Sequence, residues 1–314
     1  GTHMEGFHAA VKATVEQLAS NTGRGRGVNL TPGLVSPADL RYLHEILEDF
    51  GLEGTTLPDY SLSLDGPAQD HYEKVPAGGT PIEKIKEMGA AGAHIEFGRT
   101  LNESLSAARV LEERFGVMRY SMGLPIGLRE TDIFFQTLES LANSPTPEKH
   151  VLERGRLVDS YVDAHKYLFG KKAIIYGEED LVVGLTAFLS EIGIKPVLSA
   201  SGGNSGNLSR AIADVTRTIL EDAPLVRDNM DFYEMRDLAE ELEPDLLIGS
   251  SKGYGLSKAL GAPLIRVGFP IHDRFGGPRT LHLGYRGAQN LLDTLVNTII
   301  DSKQKSSDIG YTYY

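Results

Sequence analysis

Side chains able to do chemistry are plentiful in this sequence; the arrangements that would let them do it are scarce. The nine histidines show no HExxH or comparable ligand spacing, and no serine stands in a GxSxG turn that would lift a nucleophile above a strand. There is no cysteine, which excludes disulfides and thiolate metal sites. Aspartates and glutamates are numerous, but their spacing puts most of them on helix faces, where a solvated role is expected. What remains is four polar loops, each following an apolar run, the position at which open parallel sheets take up ligands.

The first loop, 58–66, offers Asp59 and Ser61, and it reads equally as a surface excursion packed on a partner. The second, 199–206, carries Ser201 and Asn204 among small residues. Amides exposed at a helix start can hold an anion, but the GxGxxG order is missing and the stretch also reads as a plain flexible loop. The third, 249–255, sets Ser250 and Lys252 among glycines, a plausible anion contact without the Walker spacing. The fourth, 268–279, holds His272, Arg274 and Arg279. Adjacent side chains diverge, so an Asp273–Arg274 pair that fixes the loop is the simpler reading there. No residue is assigned as catalytic or as a metal ligand.

The elements that must position these loops follow from periodicity. An amphipathic helix is expected over 4–20, with Phe7, Val11, Val15 and Leu18 at helical spacing. A glycine-rich connector follows at 21–27. Val28-Asn29-Leu30 is a short strand. Ser36-Pro37-Ala38-Asp39 is a helix start with a Ser N-cap, Pro at N1 and an acid at N3. That helix buries Leu40, Leu43, Ile46, Leu47 and Phe50 and stops at Gly51. Strands at 55–57, 93–97 and 117–121 alternate with helices at 80–89, 103–115 and 127–142. A long helix over 147–169 leads to a second series: strands at 173–176, 196–198, 246–249 and 264–268, and helices at 179–192, 207–222, 231–242 and 286–303. Leu47–Leu52 and Leu189–Ile194 match in pattern, each ending a helix at a glycine before a strand. The repeat suggests two copies of one doubly wound unit, with right-handed crossovers and parallel sheets.

The expected organisation is therefore α/β: two Rossmann-like doubly wound parallel-sheet domains and a C-terminal helix. The divisions fall at 1–24 (helix and linker), 25–146 (first domain) and 147–314 (second domain with the long and C-terminal helices). A length of 314 residues suits two such units. A net charge of −12 speaks against nucleic acid or an anionic membrane as partner, since phosphates want a basic footprint. No apolar run is long enough for a membrane span, no signal-peptide core is present, and the cytoplasm is the expected compartment. Gly1-Thr2-His3-Met4 reads equally as a tag remnant or as native sequence.

One segment is more specific than any pattern. Pro263–Arg274 (PLIRVGFPIHDR), followed by Gly284-Tyr285-Arg286-Gly287-Ala288, resembles the signature near the end of β-type chains of nitrogenase component 1. Val28–Gly33, Glu153–Asp159 with Asp163-Ala164-His165, and Asp245–Gly253 resemble further stretches of that family in the same order. Gly1-Thr2-His3 is similar to its native Gly-Ser/Thr-His step. Within the family, Leu57–Gly66 and Gly78–Glu83 look more like the cofactor-assembly scaffold chain than like the catalytic chain or the nitrogenase-like reductases.

The resemblance implies domains two and three of a β-type chain. The family's further N-terminal domain, with the cysteines that hold an electron-relay iron–sulfur cluster, has no counterpart in this sequence. No cluster ligand therefore transfers to any residue, and an iron–sulfur cluster is expected only in the intact family complex. The implied partners are an α-type component 1 chain, a second β-type chain and, indirectly, a reductase component. The implied role is structural, without independent catalysis. Two Rossmann-like domains also describe nucleotide-sugar glycosyltransferases and epimerases, which remain the alternative by fold analogy.

Overall fold

The structure is a computed structural model that describes residues 2–21, 27–68, 70–75 and 77–307. Most of the expected connector, residues 22–26, lies outside the described residues. The chain opens with α1 (His3–Leu18). Thr2 and Glu5 form a capping box at its start, satisfying amides that the first turn leaves without partners.

The first sheet comprises β1 (Val28–Thr31), β2 (Gly54–Thr56), β3 (Ala93–Phe97) and β4 (Met118–Met122), in the order β2-β1-β3-β4, all parallel. Its connections are α2 (Pro37–Asp49), α3 (Ile82–Glu87) and α4 (Ala107–Phe115), and α5 (Gly127–Ala142) follows β4. The expected helix at 103–115 is split. Glu103–Leu105 is a separate 3-10 turn, because Ser106 turns extended and caps α4 with its hydroxyl.

The long α6 (Glu148–Leu168) leads to the second sheet. Its strands are β5 (Lys172–Gly177), β6 (Lys195–Ser201), β7 (Leu225–Arg227), β8 (Leu246–Gly249) and β9 (Leu264–Arg266), in the parallel order β7-β6-β5-β8-β9. The helices are α7 (Glu179–Glu191), α8 (Leu208–Thr216), α9 (Phe232–Leu242), α10 (Tyr254–Leu260) and α11 (Gly284–Ser306). Three expectations change here. β6 runs on through Ser199, Ala200 and Ser201, so the small-residue loop begins only at Gly202. The helix expected to reach 222 stops at Thr216, and the short β7 follows instead. The helix α10 was hidden among the glycines and serines of the third loop.

The repeat is visible in the backbone. Gly51 and Gly193 both hold positive φ, 68° and 80°, which costs glycine little. Leu52 N–H donates to Leu47 O (2.9 Å), and Ile194 N–H donates to Leu189 O (3.0 Å). Each copy thus ends its first helix in the same way and passes into the neighbour strand. The copies differ by β7, added outside β6.

One hydrophobic core serves both units. It joins Val28, Leu30, Ile95 and Phe97 of the first sheet to Ala173 and Ile175 of the second through α2, α5, α6, α7 and α11. The other face of the first sheet is polar although buried. Asn29 donates to Met88 O (2.8 Å), Thr31 meets His94 (2.8 Å), and Glu96 accepts from Ser106 Oγ and from the Ala107 and Ala108 amides. A strand points alternate side chains to opposite faces, so a single register gives an apolar core on one side and a helix-capping carboxylate on the other.

Three polar nodes lock the units together. In the first, Asp39 is 1% exposed. Its carboxylate accepts from the amides of Ser36, His282 and Leu283 and from His282 Nδ1, at 2.7–3.2 Å. His282 Nε2 accepts the Gly268 N–H (3.1 Å), which leaves Nδ1 to face the Asp39 carboxylate. Burial alone would push the Asp39 carboxyl up; the contacts with His282 and Leu283 outweigh it and hold the carboxyl below its usual range.

In the second node, Arg286 of α11 reaches Glu153 of α6 (2.6 Å) and Glu45 of α2 (3.0 Å) while lying over the Tyr42 ring. Tyr42 and His150 also bond Glu153. Burial opposes its ionisation, yet those bonds take the Glu153 carboxyl down to about 2. Gly284, which opens α11, has φ 68°, and a Cβ there would stand 2.6 Å from Tyr42.

In the third node, Glu191 at the end of α7 accepts from the Leu128 and Arg129 amides (2.9 and 3.1 Å) at the start of α5, and from Tyr161 Oη (3.1 Å). Here burial prevails, and the carboxyl is pushed up to about 7.

These nodes make two predictions. Asp39→Ala leaves several buried donors without an acceptor and should cost about 3–5 kcal/mol; Arg109→Ala, which breaks an exposed helical pair with Glu113, should leave stability almost unchanged. Denaturant unfolding of both variants checks the contrast. Glu191 titrates higher folded than unfolded, so its contribution is fully present below pH 4.5 and is lost as pH rises through about 7. Glu191→Gln should flatten the fall in stability between pH 4.5 and 7.5 by up to about 3 kcal/mol, as measured by unfolding at a series of pH values.

Candidate functional site

The loops that leave the two sheets converge on a cavity of about 540 Å³. One wall is built by Pro32-Gly33-Leu34 after β1 and by Thr100, Leu101 and Asn102 after β3. The facing wall is the first turn of α7, Glu178 to Leu181, together with Gly203, Asn204 and Ser205 after β6. The N-terminal half of α1 closes a third side with Met4, Glu5, His8 and Ala9. The position is outside the carboxyl ends of strands, and in the first sheet it falls between β1 and β3, where crossover direction changes.

The walls are fixed by contacts both across and within the units. The Thr100 N–H donates to Asp180 Oδ1 (2.9 Å), and Asn207 Nδ2 donates to Thr100 O (3.2 Å). Arg99 is held by a two-pronged pair with the buried Glu130 (2.7–3.2 Å). The Ser205 N–H donates to Glu179 Oε1 (3.1 Å).

The electrostatics of the cavity are one-sided. Glu178, Glu179 and Asp180 face it, and no lysine or arginine is among its lining residues. Burial pushes the Asp180 carboxyl up against the bonds from Thr100. Burial and the adjacent Glu179 push Glu178 up, opposed by His3 at 2.8 Å. Burial also takes the His8 imidazole down to about 4, so it is neutral near pH 7. Apolar surface comes from Leu34, Phe97, Leu124 and Leu181.

Of the residues singled out in sequence, Asn204 lines this cavity. Ser201 sits at its edge but is buried at the end of β6, donating to Gly177 O (2.8 Å). Ser250 uses its carbonyl to accept from Tyr176 Oη (2.7 Å). Lys252 is exposed and reaches Glu178 only through space.

Asp59 and Ser61 lie elsewhere, beyond β2. Asp59 accepts the Ser61 N–H (2.9 Å) and stands 3.7 Å from His44 Nε2, the same nitrogen that meets Thr56 Oγ1 at 3.1 Å. Acid and hydroxyl therefore share one nitrogen, and the relay of a hydrolase triad, which needs both, does not form. His272, Arg274 and Arg279 are exposed. The Asp273 carboxylate is gripped by the Arg266 guanidinium at 2.7–2.8 Å, while Arg274 donates to the Asp273 carbonyl (2.6 Å) and stands 3.4 Å from the carboxylate. Arg279 joins Arg41 on Asp65 (3.0 and 2.7 Å) and thereby ties the fourth loop to the first.

Sequence reasoning missed the acidic turn, Glu178 to Asp180, because acids in a first helical turn are ordinary helix stabilisers. The available signal was their position directly after the buried β5. It also missed Asp39 as a buried acceptor and His282 altogether; no local pattern marks a contact 243 residues apart.

Comparison with known proteins follows the same outline. The sequence profile of the family described as "Nitrogenase component 1 type Oxidoreductase" matches residues 1–300. The nitrogenase molybdenum-iron protein beta chain of Clostridium pasteurianum is 31% identical over 306 residues, 97% of this chain and 66% of that protein. The corresponding beta chain of Methanothermobacter thermautotrophicus is 34% identical over 305 residues, covering 95% and 65%. The nitrogenase iron-molybdenum cofactor biosynthesis protein NifN of a Nostoc species is 31% identical over 307 residues, covering 97% and 65%. A solved structure of nitrogenase Cp1 at pH 6.5 superposes with a TM-score of 0.95 at 30% identity, over 100% of this chain and 69% of that one. This chain thus spans just under two thirds of the length of the curated relatives, and it belongs to the nitrogenase component 1 type oxidoreductase family.

Proposed function

We propose that the chain is a β-type subunit of a nitrogenase component 1-like complex, either the catalytic oxidoreductase or the scaffold on which its cofactor is assembled. The observation that carries this reading is its similarity, along almost its whole length, to beta chains and to NifN. The likeness of Leu57–Gly66 and Gly78–Glu83 to the scaffold pattern favours the second branch. Its own contribution is shape and subunit contact, in the cytoplasm, with domain divisions near residues 24 and 146.

The residues present do not fit an iron–sulfur cluster. The sequence supplies no thiolate, and among the described residues no group of three or more His, Asp or Glu is placed to hold a metal ion. A redox centre would come from other parts of the assembly, and electrons from a reductase component. Among the described residues no helix is long and apolar enough to cross a membrane.

Assembly has a physical basis on α6. Val151 (52% exposed), Val158 (39%) and Val162 (73%), with Leu152 beside them and Phe169 beyond the helix end, leave an apolar strip uncovered. Solvent-facing apolar strips of this kind mark interaction surfaces, and an α-type chain or a second β-type chain is the partner this reading supplies. The nucleotide-sugar alternative gains nothing from the cavity, whose carboxylates repel a diphosphate.

Purified alone, the chain should be colourless and free of stoichiometric iron; a brown protein with one or more tightly held irons per chain would defeat the reading. Co-expressed with an α-type chain, it should elute as a hetero-oligomer. Val162→Asp should weaken that complex by about tenfold or more, the equivalent of about 1.4 kcal/mol, with unchanged thermal unfolding of the isolated chain.

A further inference from the structure

The solvent side of α6 carries a pattern that an apolar strip alone does not require. Val151, Gly155, Val158 and Val162 recur at spacings of four, three and four residues, the seam by which one helix packs lengthwise on another. Glycine lowers the stability of a helix interior, and nothing in this chain stands within 4 Å of where a Cβ on Gly155 would be. Its own fold therefore gives no reason for the small residue; the close approach of another helix does. The spacing reads the same in both directions about a midpoint between Arg156 and Leu157. An identical helix laid antiparallel thus sets Val151 against Val162 and Gly155 against Val158, each twice.

The charges beside the seam share that midpoint. Lys149, Glu153 and Arg154 of α6 are paired within the chain, with Asp49, Arg286 and Asp132. Glu148, Arg156, Asp159 and Lys166 are exposed and have no ion pair among the described residues; Lys166 meets the ring of Tyr167 at 5.0 Å. Antiparallel pairing about the midpoint brings Glu148 to Lys166, and Arg156 to Asp159, of the other helix. Parallel pairing would set each of the four beside its own like charge, and charges flanking a seam decide partner and orientation in this way. Seam and charges agree on one occupant, a second α6.

We propose that α6 packs antiparallel against α6 of a second copy of this chain, about a twofold axis that passes beside Arg156 and Leu157. A contact of this isologous kind closes at two chains. It rests on the reading of α6 as an assembly surface and names the chain that covers it. One helix pair is smaller than the interface of a permanent dimer, so the association is reversible and is read at micromolar concentration.

Sedimentation equilibrium of the purified chain, from about 1 to about 100 µM in about 0.15 M salt, should show a monomer–dimer equilibrium. Glu148→Lys and Lys166→Glu should each weaken the dimer by about threefold to tenfold, and the double variant should restore it. Because both positions are exposed, the melting temperature of the monomer should not move. The sequence has no cysteine, so introduced thiols report the orientation: Val151→Cys mixed with Val162→Cys should give a disulfide between the two variants, in preference to either linked to itself. A monomer at about 100 µM, self-linked Val162→Cys as the main product, or a double variant no stronger than the single ones would overturn the proposal. Co-expression with an α-type chain separates this contact from the subunit reading. A hetero-oligomer formed by a chain that does not self-associate removes the α6 pair and leaves that reading standing; a homodimer with no hetero-oligomer does the reverse.

Discussion

The carboxylate of Asp39 lies out of water, and the amides of Ser36, His282 and Leu283 and the ring of His282 all close on it. A buried charge is tolerable only when its acceptor sites are filled, so the α2 start and the segment before α11 must meet in one geometry. His282 then passes the constraint on, because its second nitrogen accepts the amide of Gly268 after β9. A residue in the first third of the chain thereby sets where the last strand and the last helix lie. The ladder of each sheet is local; the relation between the sheets depends on this chain of hydrogen bonds and on the apolar core around it.

The family signature acquires a physical meaning in this light. Glu153 and Arg154 of α6 and Tyr285 and Arg286 of α11 are partners rather than catalysts. Arg286 pairs with Glu153, while Arg154 and Tyr285 share Asp132 of α5. Gly284 admits the Tyr42 ring where any side chain would strike it. The most recognisable residues of the sequence are thus the ones that close the fold. A recognisable motif identifies the lineage here without marking where a ligand sits.

The cavity is a by-product of the same closure. Once α7 and the loop after β3 are pinned by Asp180 and Thr100, the carboxyl ends of the two sheets face each other across a gap that no side chain fills. Acids after β5 stabilise the helix start and, because burial disfavours their charged form, are also held in a protonation balance unlike that of surface acids. One sequence feature serves two purposes, and only the second requires the tertiary structure.

How much was legible follows from range. The N-cap at Ser36, the stop signals at Gly51, Gly170 and Gly193, and the strands at 93–97 and 246–249 could be read because caps, positive-φ glycines and apolar runs act over a few residues. The extension of β6 through Ser199 to Ser201 was not legible, because small polar residues take extended form there only through pairing with β5 and β7. The absence of thiolates and the two-unit α/β plan were determined by the sequence alone. Which loops share a cavity, and that Asn204 joins Asp180 while Asp59, His272 and Arg279 do not, was decided by tertiary structure, since crossover connections set distant loops side by side and hydrogen bonds between residues hundreds of positions apart leave no local trace.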